Sequence, residues 1–350
     1  MRRAAPFALV ALGLAAATSL SAQTRAPEIS FEAVDALGGF PHDIHLGEVA
    51  GVARNSRNEI FVYTRTGNPT LALGLARYIS RSGSRLFKFD SRGRYEREMG
   101  QEIYGALYAQ QVRVSPDDNV WIVDKMSGQV IRFDPQGRIV MVLSRKPEAM
   151  TVPAGGGRGG GRGGRGYTEG ESFQQPSDVA WDSQGNIYVA DGLTRGRIAK
   201  YDSEGRFVTN LGGDGSGPGQ FTGISGLQID ARDNLYVADY GNRRIQVLDS
   251  GGRYVREITG VGAPMAICIT PGPNQVLYVS NSNPPDDLEV GGEVYKLRLD
   301  GTVIGRFGTV GKRIGQFGTV NAIDCRSEND LLVGEVGNWR VQRVTLRATE

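Results

Sequence analysis

The chain has 350 residues, of which 39% are hydrophobic and 22% charged, so it is long enough to bury a sizeable core. Its formal charge of +2 is nearly balanced and gives no electrostatic case for nucleic acid as a partner of the whole chain. Many of the 50 glycines lie in turns or in one Arg-Gly tract, which indicates loops rather than a fibre.

The first 22 residues have the order of a secretory signal peptide. Two arginines follow Met1, an apolar run extends from about Phe7 to Leu20, and small residues precede Gln23. We expect cleavage near Ala22 and a secreted or periplasmic mature protein. An uncleaved membrane anchor is the alternative, but the run is short for a span. No later segment is long enough, so no membrane span is expected after cleavage.

A short strand-like run recurs six times in the rest of the chain. The copies are Glu59–Tyr63, Val120–Asp124, Ile187–Asp191, Leu235–Asp239, Leu277–Asn281 and Leu331–Glu335. Most are apolar almost continuously, as IYVA and LYVA show, rather than alternating between apolar and polar residues. This pattern is typical of strands that are packed on both faces.

Further runs flank each copy. Most copies are followed by a hairpin around an Asp-x-x-Gly-Arg turn, as in RLFKFDSRGRYEREM from Arg85. The Asp is expected to bond the local backbone and the Gly to take a positive φ. Another run precedes each copy, as in Ser177–Trp181, so each unit holds four short antiparallel strands. The sequence therefore predicts an all-β fold, a six-bladed β-propeller of four-stranded antiparallel blades over residues 28–348.

The sixth unit is short of one strand. The run from Trp339 continues into the C-terminus and leaves no residues for a fourth strand. Glu28–Val34 has strand character and no partner of its own. We expect this N-terminal strand to pair with the last blade and close the ring, which removes two open sheet edges.

Three insertions interrupt the units, at residues 66–84, 146–172 and 282–292. The second contains AGGGRGGGRGGRG, and residues 147–172 are predicted to form a disordered surface loop because they cannot bury apolar area. An RNA-binding Arg-Gly segment is the alternative. It lacks interleaved aromatic residues and lies in an exported chain, so no nucleic-acid partner is expected.

The two cysteines, Cys268 and Cys325, fall in the first strands of units five and six. Aligning the two strands puts Cys325 one position beyond Cys268, and a one-residue offset reverses the face on which a side chain lies. The thiols can therefore meet across the interface between the two blades and form a disulfide in an oxidising compartment. Two small buried hydrophobic side chains are the alternative.

Four stretches carry a family resemblance: LGEVAGVA from Leu46, QPSDVAWDSQGNIYVADG from Gln175, GPGQF from Gly217 and VGAPMAICITPGP from Val261. The repeats resemble NHL repeats. Nearly the whole mature chain resembles the bacterial relatives of peptidyl-α-hydroxyglycine α-amidating lyase.

The resemblance implies a zinc site that this sequence does not supply. In the family, three histidines at the first-strand starts of alternate blades hold zinc, and these positions fall on Gln110, Ser225 and Asn321. The chain has only two histidines, His42 and His45, so a three-histidine site is excluded. Amide and hydroxyl groups are poor zinc ligands.

Other family positions also differ. The tyrosine at the substrate falls on Leu193, and the aspartate after the third histidine falls on Ala322, which puts the family's structural calcium in doubt. Only the substrate arginine is kept, as Arg65. The zinc expected for the family therefore has no ligands here, while calcium stays possible.

Propellers bind ligands at the mouth of the central channel, so we expect the binding residues where the first strands begin. Glu48 and Asp324 are expected nearby. No catalytic residue is assigned, because a serine without a histidine lacks its base. The candidate binding residues are Arg65, Gln110, Ser177, Asp178, Ser225 and Asn321.

Two further groups are given structural interpretations. His42 and His45 could form an improvised site with Asp43, but two solvated loop histidines are favoured. A recurring aspartate ends three of the repeated runs and is expected to cap a turn rather than to act in catalysis. These aspartates are Asp124, Asp191 and Asp239.

Three hypotheses remain open. The first is a propeller that binds a small molecule, peptide or glycan at the channel mouth without lyase activity. The second is a metal-dependent lyase or lactonase-type hydrolase with a rebuilt site, in which Glu48, Asp178, Asn321 and Asp324 would bind calcium. The third is a scaffold that holds a protein partner.

Overall fold

The structure is a computed structural model and describes residues 26–66, 71–72, 78–79, 83–101, 103, 105–144, 172–193, 196–282 and 289–347. The predicted signal peptide at residues 1–22 and nearly all of the predicted disordered loop, residues 147–171, lie outside these ranges. Within them, no helix is both long and apolar enough to span a membrane.

The strands, numbered in chain order, form six four-stranded antiparallel sheets within the described residues. Each sheet is one blade, and the strands of each blade are given below in order from the central channel outward. Blade 1 holds β2 (Glu48–Arg54), β3 (Ile60–Arg65), β6 (Ser84–Phe89) and β7 (Tyr95–Met99). Blade 2 holds β8 (Ala109–Val114), β9 (Val120–Asp124), β10 (Gln129–Phe133) and β11 (Ile139–Leu143). Blade 3 holds β12 (Asp178–Trp181), β13 (Ile187–Asp191), β14 (Arg197–Tyr201) and β15 (Phe207–Gly212).

The remaining blades repeat the arrangement. Blade 4 holds β16 (Ile224–Ile229), β17 (Leu235–Asp239), β18 (Arg244–Leu248) and β19 (Tyr254–Ile258). Blade 5 holds β20 (Pro264–Ile269), β21 (Val276–Asn281), β22 (Val294–Arg298) and β23 (Val303–Phe307). Blade 6 holds β26 (Val320–Ser327), β27 (Asp330–Glu335), β28 (Arg340–Leu346) and β1 (Phe31–Asp35). Two short pairs, β4 (Leu71–Ala72) with β5 (Tyr78–Ile79) and β24 (Thr309–Val310) with β25 (Gln316–Phe317), and a 3₁₀ turn at Tyr240–Asn242 lie outside the blades.

Burial explains why the sequence adopts this architecture. The second strands β9, β13 and β17 are buried at every position, whereas the outer strands β11, β15 and β19 are largely exposed. Six hydrophobic clusters of described residues fill the interfaces between neighbouring blades, including the one between blades 6 and 1. The prediction of strands packed on both faces is confirmed.

The turns between the third and fourth strands have the predicted chemistry. Asp90 accepts hydrogen bonds from the backbone N–H groups of Arg92 and Arg94, both at 2.9 Å. Gly93 in the same turn has φ of 79°, which a residue with a Cβ resists. The same pattern recurs around Asp134, Asp202 and Asp249.

The N-terminal strand closes the ring, as predicted. β1 pairs antiparallel with β28 over five residue pairs, from Phe31↔Leu346 to Asp35↔Gln342. The regular strand begins at Phe31 rather than at Glu28, because the residues before it turn to blade 5, where the Ile29 N–H donates to the Arg306 carbonyl at 2.8 Å. The segment therefore joins blades 5 and 6 as well as completing blade 6.

Cys268 in β20 and Cys325 in β26 are joined by a disulfide. The bond links the first strands of blades 5 and 6 beside the central channel. Both residues are buried, at 7% and 1% exposure. The offset of one position between the two strands thus brings the sulfur atoms together across the blade interface.

Candidate functional site

The central channel has two ends. The first strands of all six blades run in the same direction along it, so they define a start mouth, where these strands begin, and an end mouth, where they finish. The family resemblance and the candidate binding residues concern the start mouth.

A β-bulge lies near the start of the first strand in several blades. In blades 2, 4 and 6, the register shifts at Gln110, Ser225 and Asn321, and in blade 1 it shifts at Ala50. A bulge inserts one unpaired residue and redirects its side chain. We call these four residues the bulge ring. Three of its members are the positions that correspond to the family's zinc-binding histidines.

The side chains of the bulge ring bond the channel itself. Asn321 Nδ2 donates to the carbonyls of Ala50 at 2.5 Å and Gln110 at 2.9 Å, which links blade 6 to blades 1 and 2. Ser225 Oγ donates to the Pro264 carbonyl at 2.8 Å and so links blades 4 and 5. The ring therefore contributes hydrogen bonds between blades where the family has metal ligands.

One ring side chain keeps a free donor. Gln110 Oε1 lies 3.5 Å from Arg65 Nη2, but Gln110 Nε2 makes no hydrogen bond with any described residue. Ser177, just before β12, directs its Oγ to the Ala190 carbonyl at 3.3 Å. Among these candidates Gln110 has the clearest unmet capacity to contact a ligand.

The family arginine, Arg65, is held at the rim of the start mouth. Its Nη1 donates to Glu48 at 2.8 Å and its Nε to the Ala109 carbonyl at 2.8 Å. Its guanidinium lies 4.0 Å from the centre of the Tyr108 ring. These contacts fix the guanidinium in one orientation before any ligand arrives.

A second cation, Lys125, stands beside Arg65. Its Nζ lies 5.8 Å from the centre of the same Tyr108 ring and forms no ion pair with the described part of the chain. Burial, and after it the positive charge of Arg65, lowers the pKa of Lys125. A half-buried ammonium next to another cation and without a counter-ion is suited to an anionic ligand. Lys125 was not predicted from the sequence, although it directly follows the recurring Asp124.

Below this rim an ion pair between Arg113 and Asp178 reaches across the channel, where Arg113 Nη2 also lies 3.4 Å from the Ile267 carbonyl of blade 5. Arg113 donates to Asp178 through Nε at 2.9 Å and through Nη2 at 2.6 Å. Asp178 also accepts from the N–H groups of Val179 and Leu227, both at 2.9 Å. Burial lowers the pKa of Arg113, but the charge of Asp178, the hydrogen bond to it and the charge of Asp324 together outweigh burial, so the pKa is raised. Asp178 thus has a structural role, and its predicted role in binding stays a prediction.

The residues present do not fit the family's zinc. An amide, a hydroxyl and a second amide occupy the three positions, and their polar atoms largely bond backbone carbonyls. The structure does not bring together the oxygen ligands of the alternative calcium site either. In the ranges that the structure covers, no group of three His, Cys, Asp or Glu side chains could hold a metal ion.

The placement of Asp324 at the start mouth was wrong. Asp324 lies three residues beyond Asn321 along β26, and a strand rises about 3.3 Å per residue, so the carboxylate is roughly 10 Å further along the channel. There it pairs with Arg54 Nε at 2.6 Å in the wall of the end mouth. It cannot join Glu48, which pairs with Arg65 at the start mouth.

His42 and His45 are both exposed, as expected for solvated loop residues. The recurring aspartates accept backbone N–H groups, as expected, but among the described residues only Asp124 accepts one from the turn that follows it. Asp124 accepts from the N–H groups of Tyr108 at 2.7 Å and Ser127 at 2.8 Å. Burial raises the pKa of Asp124, which these hydrogen bonds only partly offset. Asp191 and Asp239 accept backbone N–H groups of the segments that lead into β12 and β16.

The end mouth contains a cavity of about 290 Å³ to which all six blades contribute. Its wall includes Arg54, Arg113, Trp181, Asp324 and Arg326, together with the disulfide. Sequence reasoning did not point to this cavity. The available signal was the charge within the first strands, since Arg113 in AQQVRV and Arg54 in EVAGVAR are charged side chains in strands that are almost entirely buried.

Comparison with known proteins agrees with this architecture. A family model described as a 6-bladed beta-propeller (DUF5128) matches residues 168–289. The streptogramin B lyase structure covers 91% of this chain and 98% of its own at a TM-score of 0.55, and a gluconolactonase from Xanthomonas campestris covers 93% and 96% at 0.58. Both are 12% identical and show the fold alone.

The sequence relatives include amidating enzymes and also NHL repeat-containing protein 3 of Mus musculus, which is 28% identical over 139 residues, 38% of this chain and 36% of the mouse protein. Peptidylglycine alpha-amidating monooxygenase of Rattus norvegicus is 31% identical over 154 residues, which is 41% of this chain and 14% of the rat protein. The probable peptidyl-alpha-hydroxyglycine alpha-amidating lyase pgal-1 of Caenorhabditis elegans is 26% identical over 227 residues, 61% of this chain and 59% of its own length. This chain is a six-bladed β-propeller with amidating-lyase relatives at low identity.

Proposed function

We propose that this propeller is secreted or periplasmic and binds a ligand with a free carboxylate, such as a peptide C-terminus, at the start mouth without zinc-dependent lyase activity. The bulge ring carries the proposal. Three of its four members stand at the family's metal positions, yet two of these, Asn321 and Ser225, use their side chains in hydrogen bonds between blades.

The charge at the rim supports a carboxylate as the recognised group. Arg65 is orientated by Glu48 and Tyr108, and Lys125 has no counter-ion in the described part of the chain. Gln110 Nε2 adds a free neutral donor beside them. Two cations and an amide N–H can bind both oxygens of a carboxylate.

The names of the relatives suggest a peptide. The C. elegans protein is named for peptidyl-α-hydroxyglycine, which ends in a carboxylate. A propeller that kept the arginine and lost the metal ligands could still hold a peptide of this kind. Binding then requires the rim residues alone, because packing and ring closure, rather than a metal, hold the blades together.

Export is supported by the disulfide and by the leader-like N-terminus. Disulfides form and persist in oxidising compartments such as the periplasm and the cell exterior. The order of charged, apolar and small residues before Gln23 is that of a cleaved signal peptide.

Calorimetry with two matched peptides tests the binding proposal. N-acetyl-Phe-Gly, with its free carboxylate, should bind at least about tenfold more tightly than N-acetyl-Phe-glycinamide. Lys125→Met should remove most of this difference, whereas Lys125→Arg, which keeps the charge, should retain it. Equal affinities for the two peptides, or an unchanged preference in Lys125→Met, would contradict the proposal.

A further inference from the structure

The end-mouth cavity has its own unmet hydrogen-bonding capacity. Arg113 is 7% exposed and lies in the cavity wall. Its Nε and Nη2 atoms bond Asp178 and the Ile267 carbonyl. Its Nη1 atom has no hydrogen bond to any described residue and is not among the polar atoms sealed from solvent. The cavity is therefore the place where this N–H group can meet a partner.

A second cation lies in the cavity wall. Arg326 is half-buried, and its guanidinium makes no hydrogen bond or ion pair within the described residues. The remaining arginine of the wall, Arg54, is satisfied by Asp324 at 2.6 Å and Asp330 at 3.2 Å. Asp324 is the wall's single acidic residue among those that the structure describes, and Arg54 neutralises it. The free capacity of the cavity thus consists of donors that carry positive charge.

Apart from Gln228, whose amide bonds the Leu227 carbonyl and the Ile269 N–H, the rest of the wall is apolar. It includes Trp181, the disulfide and a set of aliphatic and proline side chains: Ile229, Ile269, Ile323, Pro116 and Pro271. The volume of about 290 Å³ is at the lower end of the range of small-molecule sites. A small ligand with a flat apolar body and one anionic group would match both the walls and the free donors.

We propose that the end mouth is a second binding site, which takes a small organic carboxylate with an apolar body. The carboxylate is bound between Arg113 Nη1 and the guanidinium of Arg326, and the apolar body packs against Trp181 and the isoleucines. The site is separate from the start mouth, because the Arg113–Asp178 pair lies across the channel between them. It therefore goes beyond the proposed peptide-binding function and does not depend on it.

Benzoate and its neutral analogue benzamide are suitable probes for nuclear magnetic resonance titration. Benzoate should shift the indole N–H resonance of Trp181 and the backbone amides of Gln228, Ile269 and Cys325 in a saturable way. Benzamide should bind at least about tenfold more weakly, because it offers no charge to the two arginines. Trp181→Phe assigns the indole resonance among the three tryptophans of the chain.

Single substitutions locate the bound probe. Arg326→Gln should weaken benzoate binding at least about fivefold, and the amide spectrum of the variant reports directly whether the fold is retained. Arg232→Gln removes an exposed arginine from a nearby turn and should leave the affinity unchanged. Lys125→Met changes a residue at the other mouth and should leave the benzoate affinity measured from the end-mouth shifts unchanged.

Three results would overturn the proposal. The first is the absence of any shift at the end mouth at millimolar benzoate. The second is an equal affinity of the wild type for benzoate and benzamide, or an equal benzoate affinity of the wild type and Arg326→Gln. The third is loss of the shifts in Lys125→Met, which would place the probe at the start mouth.

Discussion

Arg113 and Asp178 join blades 2 and 3 through a buried two-point ion pair, with N–O distances of 2.9 and 2.6 Å. Asp178 is fully buried and also accepts the Leu227 N–H of blade 4 at 2.9 Å. The pair therefore links three blades and lies between the two mouths of the channel. Arg113 and Asp178, the charged residues within two of the first strands, therefore have a structural role in holding neighbouring blades together.

Removal of one partner of this pair should strongly destabilise the protein. Arg113→Met leaves the carboxylate of Asp178 buried without its counter-charge, and such changes typically cost about 3–5 kcal/mol. Urea unfolding should show this loss. The double variant Arg113→Met/Asp178→Leu should recover most of it, because no unpaired charge remains. A loss below about 1 kcal/mol in the single variant would contradict the assigned role.

Ring closure makes a separate prediction about stability. Deletion of residues 28–37 exposes the β28 edge and removes the contact of Phe31 with Phe307, whose ring centroids lie 5.5 Å apart. The melting temperature should fall by roughly 10 °C or more.

Point variants supply the control for this deletion. Phe31→Ala should cost about 1–3 kcal/mol, while Val34→Thr, at a position that is 57% exposed, should change stability by less than about 0.5 kcal/mol. An unchanged melting temperature after the deletion would count against closure by the N-terminal strand.

Glu59 predicts a defined pH dependence. Burial opposes ionisation of its carboxyl, but hydrogen bonds from Lys88, Arg57 and Asn55 outweigh it and lower the pKa to about 2. Since the folded pKa lies below the unfolded value, the stabilisation is full above about pH 4.5 and is lost as the pH falls towards 2.

Glu59→Gln should remove this contribution. At pH 6 the variant should be less stable than wild type by roughly 2 kcal/mol, and the gap should narrow as the pH falls to 3. Denaturant unfolding at several pH values measures the gap. Glu204→Gln, at an exposed turn position, is the matched control. A gap that stays constant with pH would show that Glu59 does not contribute through its charge.

Local features of the fold could be predicted from the sequence because they depend on neighbours in the chain. The Asp90 turn needs only an acceptor and a glycine three residues later, and the unpaired Glu28–Val34 run identified the closing strand. The offset between Cys268 and Cys325 was sufficient to predict their pairing. Each of these inferences uses strand periodicity or turn chemistry alone.

The candidate site was harder to predict because it depends on register and on contacts between distant blades. Nothing in AQQVRV shows that Gln110 is a bulge residue or that Arg113 reaches Asp178. The position of Asp324 was misjudged for a related reason, since the repeat pattern assigns it to a unit but not to a depth along the channel. The pairing of Lys125 with Arg65 around Tyr108 needs blades 1 and 2 side by side, and the end-mouth cavity forms only when all six blades are assembled.

The bulge ring should accept a metal when its side chains are changed. The triple variant Gln110→His/Ser225→His/Asn321→His places imidazoles at three redirected positions on alternate blades, which matches a catalytic zinc site with three protein ligands. We expect it to bind one zinc ion per chain by atomic absorption after dialysis. A matched variant with three alanines should bind none. A triple-histidine variant that folds but binds no zinc would contradict the assigned geometry of the ring.

Turnover of a peptidyl-α-hydroxyglycine substrate by the wild-type protein tests the central claim most directly. The rate should equal the uncatalysed rate, with and without a chelator, even at peptide concentrations that occupy the start mouth. Turnover that is clearly faster than the uncatalysed reaction and disappears with the chelator would contradict the account.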